Sequence, residues 1–236
     1  MKRGSATRLA TTSSLAECAL LAGLSPGVLA KRCPSAEIVS VTHKAVLYAQ
    51  GRRCRDLFCI CEGQVKLSRV DREGNELTIG LLSAGELFGP GLSDPQAGEA
   101  QETAAAKGSL TVWRIPGSEF HTLLLGTPTL SLKVIETLSR RQRQMERRLA
   151  GFAFQRTETR LAETLRELSG GFDRRCEHGF GQHLRITQQE LADLVGATRP
   201  VVSTVLNRLR DQGVLGYSRD YLCVRNIESI ERLLGE

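Results

Sequence analysis

Six side chains near the C-terminus, Arg199, Pro200, Ser203, Thr204, Asn207 and Arg208, fall on one face of a stretch whose other face carries Val202, Val205, Leu206 and Leu209 at helical spacing. An Arg can chelate guanine O6 and N7, while hydroxyls and a carboxamide bond to base edges or phosphates. The chemistry on offer is duplex recognition. Thr187, Gln188 and Tyr217 add candidate phosphate contacts from flanking segments. Thr187 followed by Glu190 is a capping box, which starts a helix carrying Leu191, Leu194 and Val195 on one side. Gly196 stops it, because glycine enters a left-handed cap without a Cβ penalty. Thr198 then caps a second helix, with Pro200 in the first turn where its missing N–H costs nothing. Two amphipathic helices alone could belong to any small core. The residues after them are more specific: Gly213, a strand from Val214 to Tyr217, a turn at Ser218 to Asp220 and a strand from Tyr221 to Val224 form a hairpin. Helix, turn, helix and hairpin describe a winged helix-turn-helix, whose second helix enters the major groove.

The stretch Ile186 to Leu215 resembles the C-terminal domain of the CRP/FNR transcription regulators, and the resemblance extends across nearly the whole chain. In that family the second helix commonly begins Ser/Thr-Arg-Glu, with another Arg four residues after the Glu. Here those positions are Thr198, Arg199, Pro200 and Thr204. Arg199 is the base reader the resemblance carries over; without the acid and the second base, the operator departs from the family consensus. The resemblance further implies a homodimer on two-fold double-stranded DNA, RNA polymerase as a partner, and an effector-modulated sensor.

The 236 residues leave room for one large or two modest domains, and an apolar share of 41% can bury real cores. The expected fold is α+β, with a disordered tail at 1–14, an antiparallel β jelly-roll sensor at 15–126, a dimerisation helix at 127–151 and a DNA-binding domain at 152–236. The net charge of +6 favours an acidic partner only weakly, since Lys/Arg and Asp/Glu balance from Phe152 onward. The excess sits in the tail, in Arg52, Arg53 and Arg55, and between Arg140 and Arg148. The tail MKRGSATRLATTSS is too polar for a secretory signal, and no run approaches the roughly 20 apolar residues of a membrane span, so a cytoplasmic protein without a membrane partner is expected.

Leu15 to Leu24 carries a helical stripe, and Ser25-Pro26 opens a second helix through Arg32. From Ile38 to Ile115 the period becomes alternating, giving strands at Ile38–Thr42, Val46–Tyr48, Leu57–Cys61, Val65–Val70, Leu77–Leu82, Thr103–Ala106 and Leu110–Ile115. The phrases LYAQG, LFCICEGQVKLS and LLSAGELFGPG resemble the cyclic-nucleotide-binding jelly roll. In its cAMP-binding members a Gly-Glu-Leu cassette supplies a ribose-binding Glu, and an Arg-Ser pair meets the cyclic phosphate. Here the candidate pocket reads Phe88-Gly89-Pro90-Gly91-Leu92, with Pro90 at the Glu position and Ala100-Gln101 at the Arg-Ser position. Loss of the Arg removes a charge-assisted contact, so neither cAMP nor cGMP is expected as effector, and the effector is left unknown.

Seven cysteines, an odd number, suggest reduced thiols rather than a disulfide framework. Cys54, Cys59 and Cys61 are the redox candidates; Cys59 and Cys61 share a strand face, and Arg52, Arg53 and Arg55 surround Cys54. There is no Cys-x-x-Cys, and only Cys18 and Cys33 lie near the N-terminus, where the family's iron–sulfur ligands sit. His43, His121, His178 and His183 show no ligand spacing, which leaves neither haem nor another metal site supported.

Ser118 to Leu125 is expected to form a short helix ending at Gly126. After Pro128 a long helix runs to about Ala150. Ile135, Leu138, Gln142, Met145, Leu149 and Phe152 recur in three- and four-residue steps, the seam of a coiled coil that would pair two copies. Gly151 is a candidate hinge, or an ordinary helix break, before a helix from Phe152 to Ser169. Gly170 to Gly181 forms a loop, Gln182 to Ile186 a strand, and Asn226 to Leu234 a last helix. No paired carboxylates, phosphate-binding loop or activated nucleophile can be placed, so no enzymatic activity is expected. The alternative is a small-molecule-binding or protein-interaction module with a degenerate helix-turn-helix.

Overall fold

The computed structural model describes residues 18, 20–92, 98–169, 182–217, 221–225 and 229–230. The expected tail, the loop at 170–181 and most of the last helix lie outside the described residues. The chain divides into two compact units, Met1–Arg141 and Gln142–Glu236.

The first unit opens with α1 (Pro26–Arg32), whose N-cap Ser25 accepts the Val28 N–H, as the Ser-Pro pair predicts. After it, the described residues hold eight strands: β1 (Glu37–Val41), β2 (Val46–Tyr48), β3 (Asp56–Glu62), β4 (Val65–Val70), β5 (Glu76–Leu82), β6 (Leu87–Phe88), β7 (Thr103–Ala106) and β8 (Leu110–Pro116). They pair antiparallel into two four-stranded sheets, ordered β1-β8-β3-β6 and β2-β7-β4-β5. Strand β3 shows why the fold is two-layered. Its alternation sends Phe58 and Ile60 into the core between the sheets, and Leu57, Cys59 and Cys61 into a second core with α1, with α2 (Gly117–Leu125) and with the start of α3 (Pro128–Phe154). Both faces are buried, so the strand reads as an unbroken apolar run.

Four expectations are corrected. Residues 20–24, where a helix was expected, form hydrogen-bonded turns, with Leu21 and Ala22 donating to the Cys18 carbonyl. Strand β6 was not anticipated, because two residues are too few to show a period. The long helix passes straight through Gly151 and ends at Phe154, so the break falls between Phe154 and Thr157, where α4 (Thr157–Ser169) begins. A single interior glycine costs a helix only about 1 kcal/mol. Finally, Cys18 and Cys59 are joined in a disulfide, where reduced thiols were expected.

The second unit holds the end of α3, α4, β9 (Gln182–Leu184), α5 (Gln188–Val195), α6 (Arg199–Asp211), β10 (Leu215–Tyr217) and β11 (Leu222–Val224). The hairpin β10-β11 takes β9 on its other side to make a three-stranded sheet. Leu161, Leu165, Leu191, Val202, Leu206 and Leu215 are fully buried in its core. Ser229 and Ile230 are helical and Ile230 is buried, which is the described part of the expected C-terminal helix.

Candidate nucleic-acid interface

The turn between α5 and α6 is built as its residues demand. The Thr187 hydroxyl accepts the Glu190 N–H (3.2 Å) while the Glu190 carboxylate accepts the Thr187 N–H (2.8 Å), a complete capping box. Gly196 ends α5 at φ 60°, ψ 48°, and a Cβ there would lie 2.8 Å from the Phe152 ring. Thr198 occupies the N-cap of α6 in extended conformation, but its hydroxyl makes no cap bond. Val202, Val205, Leu206 and Leu209 are buried, so the opposite face looks outward.

On that face Arg199, Pro200, Thr204 and Arg208 are exposed, and Ser203 and Asn207 are half-buried. They are not equally free. The Thr204 hydroxyl donates to the Pro200 carbonyl (3.0 Å), and Arg208 is paired to Glu158 of α4 at 2.8 Å. That pair holds the Glu158 carboxyl below the usual carboxylate range. The Tyr217 hydroxyl donates to the Asn207 carboxamide oxygen, tying wing to helix, and Arg210 lies over the Tyr217 ring. Thr187 and Gln188 are half-buried at the start of α5.

Two residues with a structural role here were missed. Arg160 of α4 donates to the carbonyls of Val195 (2.8 Å) and Gln155 (2.7 Å) and to the Thr157 hydroxyl (3.2 Å), and its guanidinium sits over Phe152. It pins the turn from behind, and nothing in helical spacing marks it. Val201 stands 45% exposed at the start of α6, an apolar residue on a surface expected to be polar. Phe152, expected in the coiled-coil seam, packs its ring against Gly196 and Arg160 and keeps 47% of its surface exposed.

In the first unit, Phe88 stacks with Phe58 and Tyr48 at centroid distances of 5.1 and 6.2 Å, and all three are buried between the sheets. The Tyr48 hydroxyl donates to the Glu102 carboxylate (2.9 Å), and burial together with that carboxylate pushes the phenol well up. Gly89 and Gly91 press on the backbone of Arg55 and Asp56: a Cβ at either would meet Asp56 O at 2.6 Å or Arg55 O at 2.3 Å. Ala100 is buried and offers only a methyl group, while Gln101 is exposed. Pro90 and Leu92 lie on a single 3-10 turn.

The redox candidates do not converge. Cys59 pairs with Cys18, whereas Cys61 is buried and Cys54 half-buried, neither in that disulfide. Burial pushes the Cys54 thiol up despite the neighbouring arginines, the opposite of an activated thiolate.

A two-sheet barrel, a long helix and a winged helix-turn-helix in one chain define a DNA-binding regulator with a sensor-type domain. The family models agree in both halves, with a cyclic nucleotide-binding domain matching residues 38–126 and a Crp-like helix-turn-helix domain matching 159–233. The cAMP-activated global transcriptional regulator Vfr of Pseudomonas aeruginosa is 31% identical over 177 residues, covering 74% of this chain and 82% of Vfr. The corresponding regulator CRP of Salmonella typhimurium is 30% identical over 176 residues, 73% of this chain and 81% of CRP. A CRP/FNR-family transcriptional regulator from Thermus thermophilus superposes with a TM-score of 0.70 at 27% identity, covering 85% of this chain and 99% of that one. The chain belongs to the CRP/FNR family and is a DNA-binding transcription regulator of that type.

Proposed function

We propose that the protein acts as a homodimer that places two copies of α6 in successive major grooves of a two-fold operator, with RNA polymerase as its partner at the promoter and the cytoplasm as its compartment. The observation that carries the dimer is the stripe along α3: Ile135, Leu138, Met145 and Leu149 recur at seam spacing and are exposed, Ile135 at 58% and Leu149 at 67%. An apolar stripe of that length facing water is what a second copy covers. Arg199, Ser203, Thr204 and Pro200 face the bases in this reading. Arg208, Thr187, Gln188 and the Tyr217–Asn207 pair lie toward the phosphates.

The effector in this reading is not cAMP or cGMP. A cyclic phosphate needs donors, and the pocket positions hold Pro90, the buried methyl of Ala100 and the exposed Gln101, next to the Glu102 carboxylate. The three stacked rings occupy the space between the sheets. No cationic donor stands at those positions to meet a cyclic phosphate.

The test is selection of the full-length protein on a randomised duplex pool, with and without reductant and with cAMP as a separate arm. The expected result is a two-fold motif with half-sites about one turn, roughly 34 Å, apart, unaffected by cAMP. Failure to enrich any sequence in every arm would favour the interaction module with a degenerate helix-turn-helix.

A further inference from the structure

The surface of α6 that faces outward is less polar than duplex recognition by hydrogen bonds alone requires. Pro200 and Thr204, one turn apart, lie near the middle of that face, and Val201 flanks them with 45% of its surface exposed. Pro200 has no N–H to donate. The hydroxyl proton of Thr204 is committed to the Pro200 carbonyl at 3.0 Å, so this side chain presents a methyl group and oxygen lone pairs. Arg208, the nearest cation further along the helix, is held by Glu158 at 2.8 Å. Arg199 is thus left as the exposed cation at the helix N-terminus, beside three residues that offer carbon.

Carbon on a recognition helix has its sequence-specific counterpart in the thymine C5-methyl, the one methyl group that the four bases present in the major groove. We propose that Val201, Pro200 and Thr204 form a thymine-methyl reader, so that each operator half-site carries thymine next to the guanine contacted by Arg199. This rests on the regulator reading above and adds the specificity of its interface. It also gives the departures at Pro200 and Thr204 a positive role: where a charged pair would read donors and acceptors, this helix reads a methyl group.

The experiment isolates the methyl group itself. In the duplex selected by the full-length protein, each half-site thymine is replaced singly by deoxyuridine, which removes only that methyl, and binding is measured at one salt concentration. At the thymines beside the Arg199-dependent guanine, affinity is expected to fall about four-fold per methyl, the value of one buried methyl-sized group. With Val201→Ala or Thr204→Ser, both surface changes whose folding is checked by thermal unfolding, the corresponding uridine penalty should disappear. A selected motif that depends on Arg199 but tolerates uridine at every position would overturn the methyl reader and leave the regulator standing. So would a penalty that persists in both variants. If no sequence is selected, the regulator reading falls, and this inference with it.

Discussion

At the scale of single residues, the interface depends on a few atoms that spacing arguments do not reach. Gly196 is held twice, by a left-handed backbone and by the Phe152 ring where its Cβ would be. Gly196→Ala is expected to destabilise the second unit by about 1–2 kcal/mol from the backbone alone, with the ring contact adding to it. Chemical denaturation tracked by far-ultraviolet circular dichroism would measure the loss. Tyr217 illustrates a different point. Its hydroxyl occupies the Asn207 carboxamide oxygen, which a bidentate contact to adenine would need. Tyr217→Phe should therefore weaken operator binding by about two- to ten-fold if the pair acts as a positioned phosphate donor, the worth of one hydrogen bond. An increase in adenine preference after this change, read by repeat selection, would instead assign Asn207 to the bases.

At the scale of elements, each piece is stabilised by local chemistry that the sequence states openly. The β4-β5 hairpin is one case. Lys66 meets Glu76 across the pair at 2.7 Å, and bonds from Lys66 and then Ser68 hold the Glu76 carboxyl below its usual value. A depressed folded value means that the contribution is complete above the unfolded carboxylate range and is lost as pH falls through the folded one. Glu76→Gln should therefore flatten the acid side of the thermal-midpoint curve between roughly pH 5 and 3 and leave its slope near neutrality unchanged. The effect will be modest, since Glu76 is half exposed and solvent screens the pair. A curve as steep as that of the parent protein would show that the ion pair contributes nothing.

At the scale of the whole molecule, the α3 stripe decides whether the reader units can work as a pair. Leu149→Glu places a charge among the apolar residues proposed to face the second copy, and like charges would then meet across the two-fold axis. Sedimentation equilibrium is expected to show the variant as a monomer at concentrations where the parent is a dimer. Operator affinity should drop far more than the affinity for a half-site. A variant that remains dimeric would move the interface to another face. No described helix is long and apolar enough to cross a membrane.

Much of this protein is legible in its sequence, because the devices involved are local. A capping box, a left-handed glycine, a proline in a first turn and the change from alternating to helical period each act within a few residues. The α5-α6 pair and seven of the eight described strands of the first unit accordingly appear where sequence places them. Several of the points that sequence missed involve partners distant in the chain. Cys59 finds Cys18 across 41 residues, Arg160 reaches carbonyls 35 residues away, and Arg208 is drawn to Glu158. Phe152 obeys the seam's spacing and yet packs on Gly196, since periodicity says which face a residue occupies but not what meets that face. Side-chain commitments of this kind, fixed only when the elements pack, decide which exposed residues of α6 stay free to meet DNA.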